Sequence, residues 1–119
     1  MTGLDHAIRG LEQALNRPLR HQMWRWLVRH RLMSVHDALV RESAGDTDAW
    51  LASREDTLAR ERGALLRRLG ELGTRVVEAA DIEPVHTELK RLVRDLQRHR
   101  QHLNDLVYDG VALEIGGSE

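Results

Sequence analysis

Apolar residues recur along most of the chain at intervals of three and four positions, the spacing of an amphipathic helix. The pattern is clearest over residues 84–108, where it predicts the best-formed core helix. The apolar face of this helix contains Val85, Leu89, Leu92, Leu96, Leu103 and Leu106. His99 occupies a position on that face where the pattern predicts another leucine. Because such a face must be covered by other helices, the pattern predicts a bundle.

The same spacing predicts three further helices. The first spans about residues 3–16 and ends at a joint whose proline, Pro18, suits the first turn of the next helix. The second spans residues 18–43. The third follows a turn at residues 44–47, and Gly70 and Gly73 weaken its last turns, so it ends there or continues to Ala80. Asp81 and Pro84 then predict the start of the fourth helix.

The last helix is predicted to end at Asp109-Gly110, leaving residues 111–119 as a C-terminal tail. Alternating Val111, Leu113 and Ile115 favour an extended tail that docks on its own bundle or on a partner. The predicted fold class is therefore all-α: an antiparallel bundle of three to four helices over residues 1–110, forming one domain, with an extended tail.

The second predicted helix has two apolar stripes on nearly opposite sides. One stripe contains Leu19, Met23, Trp26, Leu27, His30 and Met33. The other contains Trp24, Val28, Leu32, Val35 and Leu39. A helix with two apolar sides must be covered on both sides. We expect a second copy of the protein to cover one side of this helix. The sequence thus predicts a homodimer whose interface is the stripe from Trp24 to Leu39. Alternatively, Ser34 caps a new helix, and each stripe belongs to a separate helix.

Composition limits the classes of function. A chain of 119 residues suits one domain, and 18 basic residues nearly balance 19 acidic ones, so the whole molecule has no strong attraction for polyanions. The absence of cysteine excludes disulfides, thiol nucleophiles and thiolate metal sites. No apolar run approaches the roughly 20 residues of a membrane helix. With no signal-peptide pattern at the N-terminus, we expect a cytoplasmic protein without a membrane span.

Seven histidines raise the possibility of a metal site. Asp95, His99 and His102 have workable ligand spacing on one helix, and His30 or His36 is a possible further ligand from the second helix. The structural alternative is a core His99 hydrogen-bonded by Asp95, with His102 in solvent. Spacing alone is weak evidence for a metal, so the sequence favours the structural alternative.

A second candidate is an anion-binding surface in residues 17–31, which contain arginines and tryptophans but no acidic residue. Its possible anion-binding residues are Arg20, Arg25, Arg29 and Arg31. These arginines flank apolar stripes, which is typical of packing along neighbouring helices, so nucleic-acid binding is not favoured. No catalytic motif is present, and we expect neither enzymatic activity nor a cofactor.

Residues 96–111 (LQRHRQHLNDLVYDGV) and 114–119 (EIGGSE) resemble the ending of uncharacterised short all-helical bacterial proteins. More distantly, they resemble the last helix of hemerythrin-like bundles, in which a His-Glu pair supplies iron ligands. In this chain Arg100 follows His99, and Asn104 stands where a carboxylate is expected. The resemblance implies the bundle shape, and these differences argue against iron or oxygen binding.

The sequence therefore predicts a non-enzymatic, cytoplasmic helical-bundle interaction protein that self-associates through residues 18–43. One alternative is a divergent hemerythrin-like or ferritin-like metal-binding bundle that uses Asp95, His99 and His102. The other is a nucleic-acid or anionic-surface binder that uses residues 17–31.

Overall fold

The chain forms four α-helices in a computed structural model, which describes residues 3–17, 22–42 and 52–117. The helices are α1 (Gly3–Leu15), α2 (Gln22–Glu42), α3 (Ala52–Glu78) and α4 (Ile82–Gly117), and no described residue is in a strand. The main contacts join α1 to α2, α2 to α3, α3 to α4 and α4 back to α1. Because only residues 79–81 separate α3 from α4, these two helices run antiparallel. The predicted all-α antiparallel bundle is confirmed.

The core is built from the apolar stripe of each helix. It contains Leu4, Ile8, Leu11, Leu15, Trp24, Val28, Leu32, Val35, Leu39, Leu65, Leu69, Leu72, Val76, Val85, Leu89, Leu92 and Leu96. Complete burial of a side chain of this size stabilises the fold by roughly 1.5 to 3 kcal/mol. The predicted stripe of α4 is buried from Val85 to Leu96, and the sequence pattern identified that core face correctly.

The second helix continues without a break through Ser34, so the alternative of two shorter helices is wrong. The Ser34 hydroxyl donates a hydrogen bond to the carbonyl of His30, 3.3 Å away and one turn earlier. A serine that bonds back to its own helix does not cap a new one. Both apolar stripes of α2 consequently belong to one continuous helix.

Polar side chains tie the helices together at the end of the bundle where α1 and α3 terminate. The indole nitrogen of Trp24 donates a hydrogen bond to the carbonyl of Ala14 at 2.8 Å, and the Nε2 atom of His86 lies 3.1 Å from the carbonyl of Leu15. The guanidinium of Arg25 donates to the carbonyl of Ala79. The last carbonyl groups of a helix have no hydrogen-bond partner within that helix. These side chains provide such partners from neighbouring helices.

The C-terminal segment differs from the prediction. Residues 111–117 continue α4 as a helix, so the expectation of an extended tail from Val111 is wrong over that range. No described glycine has a positive φ, so Gly110 does not adopt the left-handed conformation that ends many helices.

The predicted boundary between α3 and α4 can also be compared with the structure. Gly70 and Gly73 lie within α3, which continues to Glu78. The Asp81 carboxylate accepts a hydrogen bond from the backbone N–H of Glu83 at 3.1 Å, and the predicted α4 cap is confirmed.

Other predictions concern residues outside the described ranges. They include the joint at Pro18, the assignments of Leu19 to an apolar stripe and of Arg20 to anion binding, and the turn at residues 44–47. Within the described helices, none combines the length and apolar character needed to cross a membrane.

Candidate functional site

The two apolar stripes of α2 have different surroundings. Trp24, Val28, Leu32, Val35 and Leu39, the stripe predicted as the dimer interface, are all buried in the core of their own chain. Side chains packed in that way against α1, α3 and α4 have no surface left for a second copy. The assignment of the interface to these five residues therefore needs correction, because a four-helix bundle already covers this stripe.

Among the described residues, the large exposed apolar side chains lie on the opposite side of α2. Its large side chains keep much of their area in solvent: 76% for Met23, 53% for Trp26, 51% for Met33 and 46% for Val40. His30 and Asp37 lie on the same line and are also exposed. We call Met23, Trp26, His30, Met33, Asp37 and Val40 the α2 seam. Its intervals alternate between three and four residues, as in the contact positions of a coiled coil.

Charged groups border the α2 seam. The guanidinium carbon of Arg29 lies 5.6 Å from the centre of the Trp26 ring, in a cation–π arrangement. Near the other end, the Asp37 carboxylate is 61% exposed and lies 3.8 Å from the Nδ1 atom of His36. The seam thus has a positive charge, Arg29, beside its first half, and its second half contains the carboxylate of Asp37, with Arg41 one turn later.

The arginines predicted to bind anions do not form one surface in the described part of the chain. Arg25 faces the C-terminal end of α3, where it bonds to the carbonyls of Val77 and Ala79. Arg31 lies against Gly10 of α1, whereas Arg29 stacks on Trp26. These three side chains contact three different neighbours, and nothing in this geometry favours phosphate binding.

A buried polar cluster lies toward the opposite end of the bundle from Trp24. His99 is completely buried. Its Nδ1 atom lies 2.6 Å from Oε1 of Glu61, on α3, and its Nε2 atom lies 3.3 Å from Oε2 of Glu42, at the end of α2. His102, one turn further along α4, approaches Glu61 at 3.1 Å. We call His99, His102, Glu42 and Glu61 the His99 cluster.

The geometry of this cluster favours a positively charged His99. A neutral imidazole has one N–H, and its other nitrogen would face a carboxylate with no proton between them. Burial alone lowers the pKa of His99, but its hydrogen bonds to Glu42 and Glu61 and their negative charges outweigh burial, and its pKa rises above the ordinary value. Arg62, whose Nε atom is 3.8 Å from Glu42, adds a second cation. Two cations then balance two carboxylates.

The three proposed metal ligands do not meet at one site, because Asp95 lies apart from the cluster that contains His99 and His102. Asp95 accepts a hydrogen bond from Arg68 of α3 at 2.6 Å, and His99 contacts Glu42 and Glu61 instead, so the predicted pairing of His99 with Asp95 is wrong. Both ring nitrogens of His99 contact carboxylates, and His102 is half-exposed beside Glu61 instead of free in solvent. Among the described side chains, no group of three or more histidines and carboxylates has the geometry to hold a metal ion.

Sequence reasoning missed several residues of both features. Glu42 and Glu61 lie 57 and 38 residues from His99, so no spacing along α4 could identify them. Asp37 and Val40 extend the exposed stripe of α2 by almost two more turns. The sequence did contain a signal for which stripe is exposed. The stripe that contains His30 and Asp37 is interrupted by polar residues, whereas the stripe from Trp24 to Leu39 is entirely apolar and better suited to the core.

Comparison of the chain with protein-family models, with curated proteins and with solved structures finds no match. The resemblance of residues 96–119 to hemerythrin-like bundles stays a prediction. Any inference about function consequently depends on the two features described above, the α2 seam and the His99 cluster.

Proposed function

We propose that this protein is a non-enzymatic interaction module that forms a homodimer through the α2 seam. One observation carries the proposal: four large apolar side chains lie exposed along one face of α2, at coiled-coil spacing. Exposed apolar side chains scattered singly are normal on a protein surface, but several of them aligned on one helix face are typical of a contact site. The line is about 26 Å long at 1.5 Å per residue, which suits pairing with another helix.

The size of the seam sets the expected affinity. Burial of each large apolar side chain contributes at most roughly 1.5 to 3 kcal/mol, and the seam side chains start partly buried. Association itself costs an estimated 4 to 15 kcal/mol, which offsets much of this gain. We therefore expect a dissociation constant of about 1 µM to 100 µM, equivalent to a free energy of about −8 to −5.5 kcal/mol.

A single substitution in the seam tests the proposal. Met33→Lys places a charged group at the centre of the seam, where pairing would remove it from water, so we expect dimerisation to weaken at least tenfold. Sedimentation velocity over a concentration series measures this effect. Because Met33 is half-exposed in the single chain, the helical content measured by circular dichroism is expected to stay unchanged.

Gln13→Lys provides the matched control, since it adds the same charge at an exposed position of α1, away from the seam. It is expected to leave the dimer affinity within about twofold. Equal weakening by both substitutions would point to net charge as the cause, and an unaffected Met33→Lys dimer would place the contact elsewhere on the protein.

A further inference from the structure

We infer that the two copies pair antiparallel, with Asp37 of each copy facing Trp26 and Arg29 of the other. This inference rests on the proposed self-association and adds the orientation and the charged contacts of the pair. The charge pattern along the α2 seam carries it. That pattern is asymmetric from one end to the other, so the two possible orientations bring different groups together.

Parallel pairing places each seam residue opposite its own copy. Asp37 would then face Asp37, and His30 would face His30, inside an otherwise apolar contact. Two carboxylates in contact repel each other, and their removal from water adds a desolvation cost. Arg29 would also lie level with Arg29 of the other copy, about two helical turns away from the Asp37 pair.

Antiparallel pairing with the seam centres aligned produces a different set of contacts. The interval pattern of the seam reads the same in both directions, so all six positions of each copy find a counterpart. Met23 lies opposite Val40 at the two ends, and His30 lies opposite Met33 in the middle. Every methionine of the seam therefore has a counterpart from the other copy, and no carboxylate faces another.

The remaining antiparallel contact joins opposite charges. Asp37 of one copy lies level with Trp26 of the other, and Arg29 already holds its guanidinium 5.6 Å from the centre of that ring. Side chains of a helix lean toward its N-terminus, which brings Arg29 to the level of Trp26. The Asp37 carboxylate is 61% exposed beside His36, so a guanidinium can approach it. Two-fold symmetry forms this contact twice.

A charge exchange tests the orientation. Arg29→Glu and Asp37→Arg each place like charges together in the antiparallel dimer, so we expect each to weaken dimerisation about tenfold. The double variant carries both changes, restores opposite charges and is expected to bind within about threefold of the unchanged protein. Sedimentation velocity measures all four proteins, and both residues are exposed, so folding of the variants can be checked by circular dichroism.

The possible results separate the two claims. Weakening by both single changes and recovery in the double variant support antiparallel pairing. Single changes without effect, or a double variant weaker than either single one, overturn the orientation and leave the dimer itself intact. A monomeric unchanged protein overturns the proposed function and the orientation together.

Engineered cysteines provide a second measurement, because the chain has no cysteine of its own. In antiparallel pairing, oxidation of a mixture of Met23→Cys and Val40→Cys proteins gives the mixed disulfide, whereas each protein alone stays uncrosslinked. Efficient crosslinking of either protein alone is the result of parallel pairing and would overturn the inference.

Discussion

Replacement of the buried His99 by leucine is expected to lower the free energy of unfolding by about 3 kcal/mol, measured by urea denaturation. Removing one member of a buried ion pair typically costs about 3 to 5 kcal/mol, because the remaining charge loses its partner. Glu42 and Glu61 are 18% and 30% exposed, so water relieves part of this cost, and the lower end of the range applies. The loss is a large fraction of the stability of an ordinary domain, roughly 5 to 15 kcal/mol.

Two further variants separate the lost charge from the altered packing. His102→Leu removes a half-exposed member of the same cluster, and a loss of less than about 1 kcal/mol is expected. Changing Glu42 and Glu61 to glutamine in the His99→Leu background removes the two carboxylate charges that have lost their contact with His99 and is expected to recover part of the stability. If His99→Leu alone is as stable as the unchanged protein or more stable, position 99 requires only a side chain of suitable size. The His99 cluster then does not stabilise the fold.

The stability of the unchanged protein is expected to fall as the pH rises through the folded-state pKa of His99. The unfolded chain has an ordinary histidine pKa of about 6.5, and in the folded protein burial lowers this pKa but the contacts with Glu42 and Glu61 raise it overall. The folded state therefore binds the proton more tightly. The stabilisation that protonated His99 gives the fold is fully present below about pH 6.5 and is lost as the pH rises above the folded-state pKa.

Urea denaturation between about pH 5.5 and about pH 9 measures this dependence. His99→Gln is the reference, because it keeps a polar side chain but does not titrate, and it also accounts for the other histidines. The difference in unfolding free energy between the two proteins should shrink as the pH rises. A constant difference, or one that grows with pH, would show that His99 is not the protonated link between α2, α3 and α4.

The sequence pattern was sufficient for the helices and for most of the core, since leucine spacing directly reports which side of a helix is apolar. It failed at the C-terminal segment because a glycine was interpreted as a helix end. Gly110 is compatible with a helix when its φ stays negative, and the alanine, leucine and glutamate that follow it are good helix formers.

The candidate sites were harder to predict because they depend on contacts between helices. The pattern identified His99 as the polar residue in a core stripe, but its partners are distant in sequence, and Asp95 is held instead by Arg68. For α2, the pattern identified two apolar sides, and only the polar residues within one of them indicated which side the bundle covers. That choice depends on the positions of α1 and α3, and it moved the proposed interface from the stripe at Val28 to the one at Met33.

Sedimentation equilibrium of the unchanged protein tests self-association most directly. The chain has a mass of 13.7 kDa, and the proposal predicts a weight-average mass that rises toward twice this value between about 1 µM and about 500 µM. A mass that stays at 13.7 kDa across that whole range would contradict the central claim that the α2 seam joins two copies of this protein.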